Sequence, residues 1–324
     1  MDKVIRRIGI LTSGGDAPGM NPAIRAAVRS CLQKGITPVG IHRGYNGLIN
    51  ADTVLMDARS VNGLSDRGGT ILYTARCKEF TTPEGVERAV RTCKYAGIDG
   101  VIAIGGDGTF RGAQKLSAAG INTVGVPATI DNDIGCSHYT IGFDTAANTA
   151  IECIDKLNDT MQSHERASVV EVMGRHAGHL AVYVGLAVGA TAILVPEFPV
   201  DFERDVIEKV RQGRYRGKRH FVIVVAEGVG RCDEIAKRIE DETGVDARVS
   251  ILGHIQRGGS PTGRDRVMAA RMAHTAVEEL AAGHTNLVVV YRDSHIVTLP
   301  IDEALQMKKS LDPYMYKVAY DVSI

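Results

Sequence analysis

The sequence contains no tryptophan, and aromatic residues amount to 5% of it. So few ring faces exclude a stacking platform for single-stranded nucleic acid as the organising feature. Net charge is missing as well, because 38 Lys and Arg balance 38 Asp and Glu. A neutral chain lacks the basic field of a general polyanion binder, so nucleic acid is not expected as a partner. The cysteines Cys31, Cys77, Cys93, Cys136, Cys153 and Cys232 include no Cys-x-x-Cys pair. That removes the zinc knuckle and the thioredoxin-like site, and fits reduced thiols in a cytoplasmic protein. Long hydrophobic runs are absent too. The N-terminal apolar run stops after four residues, too short for a signal segment. The stretch Leu180–Val195 is broken by Gly185 and Gly189 and falls short of the ~20 residues of a membrane span. No membrane association is expected.

What the chain has in excess is glycine, 36 of 324 residues, against a usual ~7%. Short runs that are apolar throughout recur at Ile8–Leu11, Val101–Ile104, Thr123–Val126, Ser168–Val172, Ala192–Val195, Phe221–Val225, Val249–Leu252 and Leu287–Tyr291. Strands covered on both faces need such runs, which predicts parallel sheets. Helical periodicity lies between them at Pro22–Gln33, Phe143–Met161 and Arg264–Ala281. The alternation predicts an α/β fold, and at this length two similar-sized lobes with mainly parallel sheets and a site in the cleft between them. Ligands are expected at the carboxyl ends of the strands.

Three loops placed at such ends are unusual: Thr12–Asn21, Gly105–Thr109 and Pro127–Asp133. Their glycines let backbone N–H groups approach phosphate oxygens at the positive ends of the following helices. Two named phosphate motifs fail. Gly217-Lys218 is followed by Arg219, so the P-loop pattern is absent. Gly106, Gly108 and Gly112 approximate a dinucleotide loop, but Asp107 between the first two would face a pyrophosphate with like charge. A cation between them resolves the conflict, so Asp107 points to Mg²⁺ bridging to phosphates. Asp131 and Asp133, one residue apart, can divide proton acceptance and metal support. Arg166, Arg175, Arg248 and Arg257 lie next to predicted strands and could hold a phosphomonoester. His176 and His179 lack a third ligand at a recognisable spacing, so zinc is not expected.

The segments TSGGDAPGMN, GGTILYTAR, IGGDGT, TIDNDI, TIGFDTA, SHERASVVEVMGRHAG, VVAEGV and LGHIQRGGSPT, spread from about Ile8 to about Ala281, together resemble the bacterial-type 6-phosphofructokinases. The resemblance implies MgATP-dependent phosphorylation of the 1-hydroxyl of fructose 6-phosphate by a homotetramer. It implies an ATP-binding lobe over 1–140 with 253–304 and a sugar-phosphate lobe over 141–252 with 305–324. It makes Asp131 the general base, with Thr129 and Asp133 supporting the hydroxyl and the metal, and Asp107 holding Mg²⁺. Gly15, Tyr45, Arg76, Cys77, Gly106, Gly108 and Thr109 would surround ATP, with Tyr45 flanking the adenine. Arg76 and Arg175 would offset charge on the transferring group. Ile130, Met173, Gly174, Arg175, Glu227, His254, Ile255, Gln256 and Arg257 would hold the sugar phosphate, with Arg166 and Arg248 reaching in from a neighbouring subunit.

Departures from the family pattern carry their own expectations. Pro22 sits where Ala is common, in a first helical turn that tolerates it. Ala128 stands where ATP users have Gly and pyrophosphate users often have Lys, whereas Gly108 matches the ATP pattern; together they favour ATP. An effector pocket for ADP or phosphoenolpyruvate would use Arg25, Arg29, Gly189, Arg216, Lys218, Arg219 and His220. However, Ala58 and Asn158 replace Arg, Gly63 replaces Asp and Thr191 replaces Glu, which predicts a weak or altered response. The competing readings are a pyrophosphate-dependent enzyme, a GGDGT-type NAD or lipid kinase, and a two-lobed sugar-binding protein.

Overall fold

A computed structural model describes residues 5–323. The chain divides into two compact units: 1–130 with 134–145 and 257–309, and 131–133 with 146–256 and 310–324. The first is the larger, with about three-fifths of the residues, because a C-terminal hairpin extends its sheet.

In the first unit the chain runs β1 (Arg7–Ser13), α1 (Met20–Gln33), β2 (Thr37–Ile41), α2 (Tyr45–Asn50), β3 (Thr53–Leu55), α3 (Pro83–Tyr95), β4 (Gly100–Gly105), α4 (Asp107–Ala118) and β5 (Asn122–Pro127). In the second come α5 (Phe143–His164, whose first residues still belong to the first unit), β6 (Ala167–Val172), α6 (His179–Ala187), β7 (Ala192–Leu194), α7 (Glu208–Tyr215), β8 (Phe221–Ala226), α8 (Cys232–Thr243) and β9 (Ala247–Ile251). The chain then returns to the first unit for α9 (Gly263–Ala281), β10 (Leu287–Arg292), β11 (His295–Pro300) and α10 (Ile301–Ala304), and α11 (Pro313–Asp321) ends the second.

The first sheet has the order β11-β10-β5-β4-β1-β2-β3, and the second β7-β8-β6-β9. All pairings are parallel except β2–β3 and β10–β11. The uniformly apolar runs follow from this. β4 and β8 are buried at every position because helices cover both sheet faces. Each fully buried Val, Ile or Phe contributes roughly 1.5–3 kcal/mol of transfer free energy. Among the described residues no helix is long and apolar enough to cross a membrane.

The strand order fixes where a ligand goes. From β1 the chain moves outward through β2 and β3, then returns to lay β4 on the other side of β1. The connections on the two sides diverge, leaving a crevice beyond the carboxyl ends of β1 and β4.

Candidate active site

The crevice of the first unit is framed by two of the loops singled out in the sequence. Ser13 and Gly105 are register partners at the ends of β1 and β4. Thr109, buried in the first turn of α4, donates from its hydroxyl to the Ser13 carbonyl at 3.0 Å and locks the loops together. Gly105 is required there, because a Cβ would lie 2.4 Å from both the Ser13 carbonyl and the Thr109 hydroxyl. Gly106 and Gly108 are the opposite case: a Cβ on either meets nothing within 4 Å. Asp107 is exposed between them at the start of α4. Open backbone, a helix N-terminus and one carboxylate are the parts a metal-bound phosphate needs.

Gly15 is exposed near the start of the first loop. Against it lies the Arg257 guanidinium, which donates to the Asp16 carbonyl at 3.0 Å. Arg257, expected with the sugar-phosphate residues, thus lies in the first unit and braces the first loop. Arg76 is exposed and Cys77 half-buried. Their segment is tied to the first loop by Thr74, which donates to the Gly14 carbonyl at 2.7 Å, and by Thr12, which donates to the Tyr73 carbonyl at 2.8 Å. Tyr45 departs from its expected place beside an adenine. It is 4% exposed, stacks on Phe80 at 4.2 Å between ring centroids and donates to the Thr109 carbonyl at 2.5 Å. Its ring supports the start of α4 from behind.

The third loop continues β5. Ala128 donates its N–H to the Gly105 carbonyl at 3.0 Å and is 1% exposed. Its methyl is therefore in the interior. Thr129 is half-buried, Ile130 and Asp131 are buried, and Asp133 is exposed. Asn132, between the two carboxylates, has φ of +50°, a left-handed conformation that Asn adopts at little cost. The turn separates Asp131 and Asp133 into buried and exposed environments.

In the second unit β6 lies between β8 and β9, and the three strand ends meet. The Arg175 N–H donates to the Glu227 carboxylate at 3.0 Å, and the Met173 N–H donates to the side-chain carbonyl of fully buried Gln256 at 3.3 Å. Gln256 in turn donates to the Gly253 carbonyl at 3.0 Å. Gly174 has φ of +139° and Arg175 +56°, so this turn holds strain at a site-type loop. It leaves Arg175, Glu227, His254 and Ile255 exposed together. Arg166 and Arg248 are not with them. Both pair with Asp246, at 2.5 and 2.7 Å, at the amino ends of β6 and β9. That is the far edge of the sheet, roughly 16 Å of strand away.

The residues expected to bind an effector are divided. Arg25 and Arg29 lie on α1 in the first unit, where Arg29 donates to Asn62 at 3.3 Å. In the second unit Arg216 and Lys218 line a cavity of about 310 Å³, together with Thr191, Arg204, Lys209, Tyr320 and Ser323. Gly189 and His220 are not among its lining residues, and Arg219 pairs with Glu165 at 2.6 Å. Burial holds Lys209 and Lys218 below the usual lysine range; the Lys218 charge adds to this at Lys209 and Asp205 opposes it. The sequence reading missed Lys209, Tyr320 and Ser323. Lys209 lies 3.7 Å over the Tyr320 ring and donates to Ser323 at 2.6 Å, contacts that exist only once α11 is docked.

Residues 7–280 match the family model described as phosphofructokinase. The chain is 54% identical over 315 residues to an ATP-dependent 6-phosphofructokinase of Clostridium botulinum, covering 97% of this chain and 98% of the relative. It is 52% identical over the same shares to ATP-dependent 6-phosphofructokinase 1 of Clostridium perfringens. Among solved structures, the Pichia pastoris phosphofructokinase in the T-state superposes with a TM-score of 0.90 at 33% identity, over 100% of this chain and 40% of that one. The Saccharomyces cerevisiae enzyme gives 0.88 at 32%, over 98% and 48%. A pyrophosphate-dependent phosphofructokinase from Marinobacter aquaeolei, at 21% identity and a TM-score of 0.87, shares the fold. With a family model matched over most of its length and relatives more than half identical along nearly all of it, the chain belongs to the phosphofructokinase family.

Proposed function

We propose that this chain moves the γ-phosphoryl group of ATP to the 1-hydroxyl of fructose 6-phosphate, giving fructose 1,6-bisphosphate and ADP. The observation that carries the reading is the locked pair of loops at β1 and β4, with open backbone at Gly106 and Gly108 and Asp107 exposed at the start of α4. Phosphoryl transfer is mostly positioning and charge stabilisation, and this arrangement supplies both for a triphosphate.

Roles in the first unit concern the nucleotide. Gly15, Gly106, Gly108 and Thr109 present backbone to the phosphates, Arg76 and Cys77 border the nucleotide, and Arg257 braces the loop from behind. The donor chemistry fits a nucleotide-borne Mg²⁺. Among the described residues there is no cluster of three or more His, Cys, Asp or Glu able to cage a metal. Mg²⁺ on a nucleotide needs only one or two protein carboxylates, because phosphates and water fill its remaining positions. Asp107, supported by Asp133, would hold it, and when bound it offsets charge on the phosphate oxygens.

The remaining roles concern the acceptor. Asp131 accepts the proton of the attacking 1-hydroxyl, which Thr129 orients. Arg175 and Arg76 offset the charge that develops on the transferring group. Ile130, Met173, Gly174, Glu227, His254, Ile255 and Gln256 shape and hold the sugar phosphate. Arg166 and Arg248, at the opposite strand edge of their own chain, serve a neighbouring subunit of a homotetramer. Gly108 offers no side chain against a nucleotide, and the interior methyl of Ala128 offers no cation to pyrophosphate; both favour ATP. The basic cavity at Arg216 and Lys218 takes a phosphate-bearing effector such as ADP or phosphoenolpyruvate, weakly because Thr191 in its lining supplies no charge. The six free thiols suit a cytoplasmic enzyme.

Phosphorus NMR of a reaction with MgATP and fructose 6-phosphate tests the reading. A new resonance from a phosphate on C1, growing as the γ-phosphate signal declines, is expected. Loss of the γ-phosphate to inorganic phosphate at a rate independent of the sugar phosphate would contradict it.

A further inference from the structure

Asp265 is fully buried in the first turn of α9, next to the N-cap Thr262. Its carboxylate accepts four hydrogen bonds, all from one short segment. One oxygen takes the Tyr139 hydroxyl at 2.5 Å and the Gly142 N–H at 2.7 Å. The other takes the Thr145 N–H at 2.8 Å and the Thr145 hydroxyl at 2.5 Å. The two backbone N–H donors cannot be reversed, and each needs an acceptor on a different oxygen. Only a carboxylate satisfies both; an amide would set its NH₂ against one of them.

The segment held in this way supports two of the loops assigned to the reaction. The Ile141 N–H donates to the Pro127 carbonyl at 3.0 Å, Ile141 forms a parallel bridge with Ala128, and the Thr140 hydroxyl donates to the Thr129 carbonyl at 2.7 Å. The same segment underlies the first loop with no room to spare. A Cβ on Gly142 would lie 2.7 Å from the Ala17 methyl, and one on Gly19 would lie 2.4 Å from the Ile141 side chain.

We propose that Asp265 is a positioning residue for phosphoryl transfer: through Tyr139–Thr145 it sets the register of Thr129, and of the Asp131 that follows it in the chain, against the phosphate-facing first loop. It is sealed from solvent and touches no substrate. The proposal rests on the catalytic reading of Thr129 and Asp131. Small displacements of a reacting group cost rate steeply, so the carboxylate acts on kcat through the loops it registers.

The test compares the parent, Asp265→Asn and Tyr139→Phe, each assayed well below its own unfolding temperature. Tyr139→Phe keeps the ring and both backbone bonds and deletes one donor, so it keeps the question open to measurement if Asp265→Asn folds poorly. Asp265→Asn is expected to lose about 10- to 100-fold in kcat and Tyr139→Phe about 3- to 10-fold, with KM for fructose 6-phosphate within about threefold of the parent in both. A purely structural carboxylate would lower the unfolding temperature and leave kcat of the folded enzyme unchanged. Parent-like kcat in both folded variants overturns the proposal, as does a loss confined to KM. A parent that transfers no phosphoryl group to fructose 6-phosphate overturns the underlying reading first, and the two failures are told apart by that control.

Discussion

Replacing Gly108 by alanine separates stability from nucleotide binding, because the two effects have opposite signs. Gly108 lies in the first turn of α4, its φ is not in the left-handed region, and a Cβ there meets no atom within 4 Å. Nothing in the fold resists the methyl, and glycine in a helix costs roughly 0.5–1 kcal/mol relative to alanine. Gly108→Ala should therefore leave the unfolding temperature unchanged or raise it by a few degrees. The same empty space is where the nucleotide phosphates are assigned. A methyl there prevents close approach to the backbone N–H groups and loses one or two charge-assisted hydrogen bonds, each worth about 1.5–3 kcal/mol. KM for ATP should rise by at least about tenfold, and Gly108→Asp, which adds like charge, should nearly abolish ATP use. Differential scanning calorimetry beside initial rates at varied ATP measures both quantities. A stabilised Gly108→Ala enzyme with parental KM for ATP would refute the placement of phosphate at this turn.

Asp131→Asn removes the proton acceptor and should lower kcat by roughly 10²–10⁴ while moving KM for the sugar phosphate little; activity within tenfold of the parent refutes its role as base. Gly105→Ala should destabilise the protein by about 2–4 kcal/mol, because its methyl would collide with a carbonyl and break the Thr109–Ser13 bond; chemical denaturation measures it. Burial pushes the Cys31 and Cys93 thiols up to about 12 from 9.0. The native state keeps those protons where the unfolded chain releases them, so stability should fall as pH rises above about 9, by about 1.4 kcal/mol per pH unit for each thiol. Denaturation midpoints between pH 8 and 11 check this, and a flat profile contradicts it. Millimolar phosphoenolpyruvate should shift the fructose 6-phosphate saturation curve less than about threefold; a strong sigmoidal shift relieved by ADP would show that the Arg216 and Lys218 cluster suffices.

Much of the fold could be read from the sequence because buried parallel strands leave uniformly apolar runs: β1, β4, β5, β6, β8 and β10 all lie on such runs. Strands of other kinds escaped. β2 carries Pro38 and Gly40, which weaken any strand signal, and β3 is a three-residue edge. β11 is an antiparallel edge strand after a two-residue turn at Asp293 and Ser294, both with positive φ, where the turn chemistry was the available signal. At the site, loops that use backbone and glycine were legible, because the spacing of Gly105, Gly106, Asp107 and Gly108 is itself the chemistry. Residues defined by partners distant in sequence were not. Tyr45 carries nothing in its local sequence to say that it faces Phe80, 35 positions on, rather than a base. Asp265 reads as an ordinary acidic residue in a first helical turn until Tyr139, Gly142 and Thr145 are brought to it. Arg257 likewise follows the second unit's strand β9 in sequence but braces the first unit.

Initial rates with fructose 6-phosphate, measured by coupling to formation of fructose 1,6-bisphosphate and run in parallel with MgATP and with Mg-pyrophosphate, test the phosphoryl-donor and acceptor assignments together. Rapid turnover with ATP and negligible turnover with pyrophosphate is the predicted result. Comparable rates with both donors, or turnover with pyrophosphate alone, would contradict the assignment of Asp107, Gly108 and the loops around them to a nucleotide.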